Sequence, residues 1–399
     1  MPHSVNRILT THVGSLVRPP KLVEFLRAIE DGKPYDKQGY EACLKDSIDE
    51  VVRQQVEAGI DIVSDGEFSK GRNWAFYFHD RITGLSRRPL TDEERKDPLA
   101  TAGGGRDHKE FPEFYAEYDK ASGLGARLGW RFIVDGPIKY DTTAVKRDIA
   151  NLKAAATKAG AKGAFLPVVA PASALPGGKN EYYKDEKELV FALADALHEE
   201  YKTIADSGLS VQVDDAFLPY MHEKLVPPMT SQQYRDWAQL RIDALNHALR
   251  GIPAEQSRYH ICWGSWNGPH AFDVEMKEIV DLMLQVNVGS YQYEAANPRH
   301  EHEWTVWQKT KLPAGKVLIP GVITHATNIV EHPELVAQRL VRLAKIVGRE
   351  NVMGGTDCGF AQSPFAQRVH PTIMWAKLRS LAEGARIATA ELWGKQATA

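Results

Sequence analysis

Apolar residues along this chain fall into two alternating rhythms. Short runs rich in Val, Ile, Phe and Tyr recur, and longer stretches between them repeat their apolar positions every three to four residues. The short runs predict strands at Ile8–Ser15, Asp61–Asp65, Arg131–Ile138, Ala164–Ala170, Ser210–Phe217, Tyr259–Trp263, Ser290–Glu294, Val317–Ile323 and Asn351–Thr356. Two of the intervening helices are sharply marked. Over Ser231–Arg250 the residues Tyr234, Ala238, Ile242, Leu245 and Leu249 share one face, and Gly251 is suited to end the helix. Pro333–Val347 opens on a proline, whose missing N–H is no loss in a first turn. It carries Val336, Leu340, Leu343 and Val347 on one stripe and stops at Gly348. Strands alternating with helices predict an α/β fold around a mostly parallel sheet, either open or closed into an eight-stranded barrel. Nine candidate strands are one too many for a barrel.

The rhythm breaks between Arg87 and Trp130, where Pro, Gly and charges crowd together, so a polar insert is expected at about residues 85–130. Insertions of this kind carry lids or substrate contacts, or are plain solvated flaps. The run Gly103-Gly104-Gly105 lacks the Lys-Ser/Thr pair of a phosphate loop. Of the 399 residues 43% are hydrophobic and 25% charged, enough to build a large core, and barrels of this length commonly form one unit. A net charge of -3 leaves no basic footprint for nucleic acid. No run approaches a membrane span, and Met-Pro-His-Ser-Val-Asn-Arg leads into no apolar leader segment, so a cytoplasmic protein is expected. Cys43, Cys262 and Cys358 are too few and too scattered for a disulfide framework.

The strongest chemical signal is His260-Ile261-Cys262. Alternate residues of a strand point to one face, so this imidazole and thiol project together. Glu294 ends the next strand, and Cys358 follows the last one. In a barrel, residues at successive strand C-termini converge on one mouth, where a His, a Glu and two Cys would make a tetrahedral zinc site. The plain alternative is a pair of buried cysteines acting as small hydrophobes beside a core histidine. Two thiolates make a bound metal a poor activator of water but a good holder of a substrate thiol. A hard carboxylate is the ligand most easily displaced by incoming sulfur. That chemistry is alkyl transfer to a thiol.

His260-x-Cys262, Glu294 and Asp357-Cys358-Gly359 resemble the zinc ligands of cobalamin-independent methionine synthase in order and rough spacing. The resemblance extends to Thr10-Thr11-His12-Val13-Gly14-Ser15, Ser64-Asp65-Gly66-Glu67 and Val211-Gln212-Val213-Asp214-Asp215. It covers most of the chain and corresponds to the family's C-terminal catalytic barrel alone. It implies a single TIM-type (β/α)8 barrel over residues 1–399, a Zn2+ cofactor on His260, Cys262, Glu294 and Cys358, and a small-molecule thiol and alkyl donor as partners. It also implies that Ser15 and the backbone near Val13 hold the substrate carboxylate, and that Glu67 and Asp214 hold its amino group. Two carboxylates beside a thiol site suit an ammonium-bearing substrate on charge grounds as well. The alternative for Asp214-Asp215 is a strand-end cap.

Two departures widen the reading. Ala170-Pro171-Ala172-Ser173-Ala174-Leu175-Pro176-Gly177-Gly178 stands where the family has a pterin-supporting tryptophan stretch, and Gly321-Val322-Ile323-Thr324-His325 keeps its histidine one residue out of register. His325 is expected either to protonate a leaving group or to serve structure. In these departures the chain is similar to the single-barrel epoxyalkane:coenzyme M transferases, in which a zinc-bound thiolate opens an epoxide. There Arg18 would be suited to a sulfonate or carboxylate, unless it is a surface arginine. Methyl transfer to homocysteine or a similar thiol is the leading expectation and epoxide opening by coenzyme M the second. A non-catalytic zinc-stabilised binding protein, or a metal-free decarboxylase on a related barrel, comes from a different class. Assembly into a homo-oligomer is left open by the sequence.

Overall fold

The computed structural model describes residues 4–96, 105–122 and 130–394. Seven parallel strands curl in the order Ile62–Val63, Gly163–Val169, Ser210–Asp215, Ser257–Ile261, Ser290–Tyr293, Val317–Ile323 and Gly355–Thr356. The N-terminal segment lies between the two edges of this sheet. Thr10 bridges Gly354 in parallel, and its carbonyl accepts the N–H groups of Asp61 and Ile62. The result is a TIM-like α/β barrel, with helices on the outside.

The surplus strand candidate was Arg131–Ile138. Trp130–Val134 leaves the barrel and pairs with Leu85–Pro89 and Lys179–Asn180 in a separate small sheet. Its exposed and half-buried positions fit a partly solvated strand rather than a barrel wall. The expected insert is described only in part. Its visible portion includes helices Arg106–Glu110 and Pro112–Ser122, and Gly103 and Gly104 lie outside the described residues.

The two marked helices form where their pattern places them. Ser231–Ala248 is opened by Thr230 and Gln233, whose side chains exchange hydrogen bonds with each other's backbone, and it ends two residues short of the expected limit. Pro333–Val347 has the expected bounds, with His332 capping its start. Both bury their apolar stripes, with Val347 at the end of the second left half-buried.

Inside the barrel the side chains stack in layers. Ile62, Phe165, Val317, Ile319 and Met353 form an apolar plug at the N-terminal end. Above it lies a fully buried Arg258, 3.5 Å over the Phe165 ring. Arg258 donates to Gln212 Oε1 (2.6 Å), Thr11 Oγ1 (2.8 Å) and the His12 carbonyl (2.5 Å). Period-two alternation carries these inward positions upward, so that Arg258, His260 and Cys262 point the same way. Register sets Gln212 beside Arg258, and both Asp214 and Gln292 beside His260. The next inward position on each strand therefore lies at the C-terminal mouth.

Candidate active site and metal centre

His260, Cys262 and Cys358 meet at that mouth. One ligand atom from each lies within 4.8 Å of the others, and the two sulfurs are 3.4 Å apart. All three residues are buried, and neither ring nitrogen of His260 has a hydrogen-bond partner among the described residues. Burial, reinforced by Arg258, lowers the imidazole pKa to about 3, which keeps a nitrogen lone pair available. The Gly264 N–H (3.3 Å) points at Cys262 Sγ and the Gln362 amide (3.8 Å) at Cys358 Sγ. The adjacent Cys358 and burial push the Cys262 thiol well up. A buried imidazole with no partner and two crowded thiols are donors suited to a soft divalent metal.

Glu294 stands beside Cys262 but outside this close trio. Its Oε1 accepts from the Trp263 N–H (3.0 Å) and its Oε2 from Asn297 Nδ2 (2.6 Å). The turn that carries it is held by Asp357, whose Oδ1 accepts the N–H groups of Ala295 and Ala296, both at 2.8 Å. Gly321 is required there, because a β-carbon would overlap the Asp357 carboxylate and backbone.

The trio forms part of the lining of a cavity of about 210 Å³, shared with Val13, Ser15, Glu67 and Asp214. Asp214 and Asp215 have opposite fates, as alternation requires. Asp214 faces the cavity, and burial followed by the nearby Glu67 pushes its pKa well up. Asp215 faces outward, accepting from Tyr259 Oη (2.8 Å), Ser173 Oγ (3.0 Å) and the Leu218 N–H (3.1 Å). Glu67 sits at φ 60° on the tight turn after Gly66, with Lys70 Nζ 3.4 Å from its Oε1. A left-handed non-glycine residue at a cavity wall is a strained arrangement of the kind that functional sites retain. The Val13 N–H donates to Thr356 Oγ1 (3.2 Å), and its carbonyl accepts from Gln212.

Arg18 is placed differently from the sequence expectation. It is buried but does not line the cavity, and its guanidinium donates to the carbonyls of Ala361 (3.0 Å), Glu67 (2.5 Å) and Lys70 (3.3 Å). It is a strut under the mouth rather than a surface arginine. His325 is buried, its ring nitrogens have no partner among the described residues, and it lies outside the cavity lining; burial, with Arg368 next, holds its pKa well below the usual range.

The sequence reading missed the roof. Tyr115 and Tyr118 from the partly described insert, Trp266 from the loop after Cys262, and Tyr220 line the cavity. Tyr115 and Tyr118 stand at 86° to each other, and Tyr220 and Trp266 at 69°. Trp266 Nε1 donates to Tyr115 Oη (3.0 Å), the Asn267 N–H to Tyr118 Oη (3.2 Å), and the Ala271 N–H to Asp107 Oδ1 (3.0 Å). A Tyr-x-x-Tyr pair on one helical face was the available signal, because aromatics three apart share a face.

Comparison with known proteins follows the same lines. The profile of the cobalamin-independent synthase catalytic domain matches residues 8–91. Over 395 residues the chain is 24% identical to a methionine synthase of Sulfolobus acidocaldarius, covering 98% of this chain and 95% of that one. It is 25% identical over 384 residues to a methionine synthase of Saccharolobus islandicus, covering 96% and 95%. Its fold resembles that of a B12-independent methionine synthase from a Shewanella species solved with selenomethionine, at TM-score 0.70 and 20% identity, over 97% of this chain and 99% of that one. A putative vitamin-B12 independent methionine synthase from Listeria monocytogenes gives TM-score 0.64 at 20% identity, over 96% and 99%.

Proposed function

We propose alkyl transfer to a thiol, and specifically methyl transfer to homocysteine, as the function of this chain, which is similar over nearly its whole length to cobalamin-independent methionine synthases. The observation that carries this reading is the meeting of His260, Cys262 and Cys358 in a cavity also lined by Glu67 and Asp214. Those three residues, with Glu294 as a fourth, would hold Zn2+. Zinc there supplies the acidity that keeps a bound thiol deprotonated at neutral pH, against an ordinary pKa near ~8.5.

The chain's own residues do the rest. Glu294 would be the displaceable donor of the set, because its two oxygens already accept from the Trp263 N–H and the Asn297 amide. Glu67 and Asp214 receive the substrate ammonium, and its arrival favours the ionised form of Asp214, which burial otherwise disfavours. Ser15, on the cavity wall, can donate its hydroxyl proton to the substrate carboxylate, whereas the Val13 N–H is already committed to Thr356 Oγ1. The aromatic roof shields the thiolate from water and bounds the space left for the alkyl donor. His325 lies outside the cavity lining, so we assign it the structural role rather than the departing group.

Calorimetric titration of the zinc-loaded protein tests this reading, with X-ray absorption in parallel. Homocysteine should bind with proton release and add one sulfur to the zinc shell. Preference for coenzyme M would replace methyl transfer by epoxide opening. An unchanged shell with either thiol would mean a closed, non-catalytic site.

A further inference from the structure

Besides its acids, the described lining of the cavity carries an arginine. Arg368 lines it together with Cys358, Gly359 and Gln362. Its Nη1 is buried without a hydrogen-bond partner among the described residues. Glu67 and Asp214 share the lining, yet neither forms an ion pair with Arg368 among the described residues. Arg18 marks the contrast, because its guanidinium is occupied by three carbonyls.

The backbone presenting Arg368 is fixed at both ends. Upstream, the Gln362 carbonyl accepts the Trp74 N–H at 2.9 Å, and the Phe360 N–H donates to the Ser15 carbonyl at 2.8 Å. Downstream, Val369 is fully buried, and His370 caps the helix Pro371–Trp393. The loop that leaves Cys358 therefore returns a guanidinium to the cavity that holds the thiols. A guanidinium nitrogen taken from water without a partner is unfavourable until an anion arrives, and its planar fork suits a carboxylate or sulfonate.

We propose that Arg368 joins Ser15 in the anion subsite of the thiol substrate, supplying the charge that receives the carboxylate of homocysteine or the acidic end of another short thiol. The proposal rests on the reading that this cavity binds a thiol, and it assigns charge recognition to a residue outside the strand tips.

The test is calorimetry on the zinc-loaded full chain with three thiols: homocysteine, 4-mercaptobutanoate, which lacks the amino group, and 3-aminopropanethiol, which lacks the carboxylate. Arg368→Ala should weaken the first two by roughly 10- to 100-fold and leave the third unchanged. Arg368→Lys keeps the charge but not the fork, so it should show a smaller loss confined to the same two thiols. This second variant decides the matter if the alanine protein does not fold. Equal weakening of all three thiols, or no change in any, would overturn the assignment. Wild-type protein that binds 4-mercaptobutanoate but not homocysteine would sink the homocysteine reading while sustaining Arg368. Failure to bind any thiol would overturn both.

Discussion

Replacing His300 by glutamine tests a charge buried behind the site wall. His300 Nδ1 lies 2.8 Å from Glu303 Oε2, and its Nε2 lies 3.1 Å from Asp273 Oδ2. Asp273 is shared with His270 Nδ1 at 3.0 Å, so the two imidazoles join the loop that bears Trp266 to the turn after Glu294. Burial opposes the charge on His300, but the hydrogen bonds to Asp273 and Glu303 outweigh it and raise the pKa from 6.5 to about 10. A group whose pKa is raised on folding contributes stability that is complete below its unfolded pKa and is lost as pH rises through its folded pKa. Between pH 7 and 9 the folded protein keeps this proton and the unfolded chain has released it. Wild-type stability should therefore fall by about 2–3 kcal/mol more than that of His300→Gln over this window, near the limit of ~1.4 kcal/mol per pH unit. Urea unfolding of both proteins at pH 7, 8 and 9 reads the difference directly, because titrations common to both cancel. Parallel profiles would refute a charged His300.

Three further outcomes are expected. Arg258→Met leaves Gln212, Thr11 and the His12 carbonyl without their donor, so stability should drop by roughly 3–5 kcal/mol and Tm by about 5 °C. A loss below ~1 kcal/mol would mean that burying the guanidinium nearly cancels its bonds. Asp107→Ala removes the acceptor of the Ala271 N–H, and amide exchange over residues 105–122 should accelerate by about tenfold or more with little change in global stability. Cys358→Ser should abolish stoichiometric zinc by elemental analysis, whereas Cys43→Ser, altering a half-buried thiol on the helix Lys37–Glu57, should leave it intact.

The parts of the molecule visible in the sequence are those governed by local periodicity. Alternation alone placed His260 and Cys262 on one face, and the helical stripe of Pro333–Val347 gave its bounds. Ile8–Ser15 was too generous as a strand, since only Thr10 makes a ladder contact before the chain turns to present Val13 and Ser15. Arg131–Ile138 has the composition of a barrel strand, and its exclusion depends on pairing with Leu85–Pro89, a long-range choice with no local sign. The same limit applies to the arginines. Arg18 is buried against carbonyls while Arg368 is half-buried with its Nη1 unpartnered among the described residues, and nothing in the local sequence distinguishes them.

The seam at Thr10 and Gly354 has a consequence for synthesis. It joins the N-terminal segment to the residue just before the last strand, and the Ser15 carbonyl is tied to Phe360 beside Cys358. Most of the barrel can emerge from a ribosome and begin to fold while this junction is still missing. A nascent chain therefore holds His260 and Cys262 without their partner thiol, and Ser15 without its wall. The site comes into being late, in a single act of closure, so incomplete chains are left without a finished thiol pair.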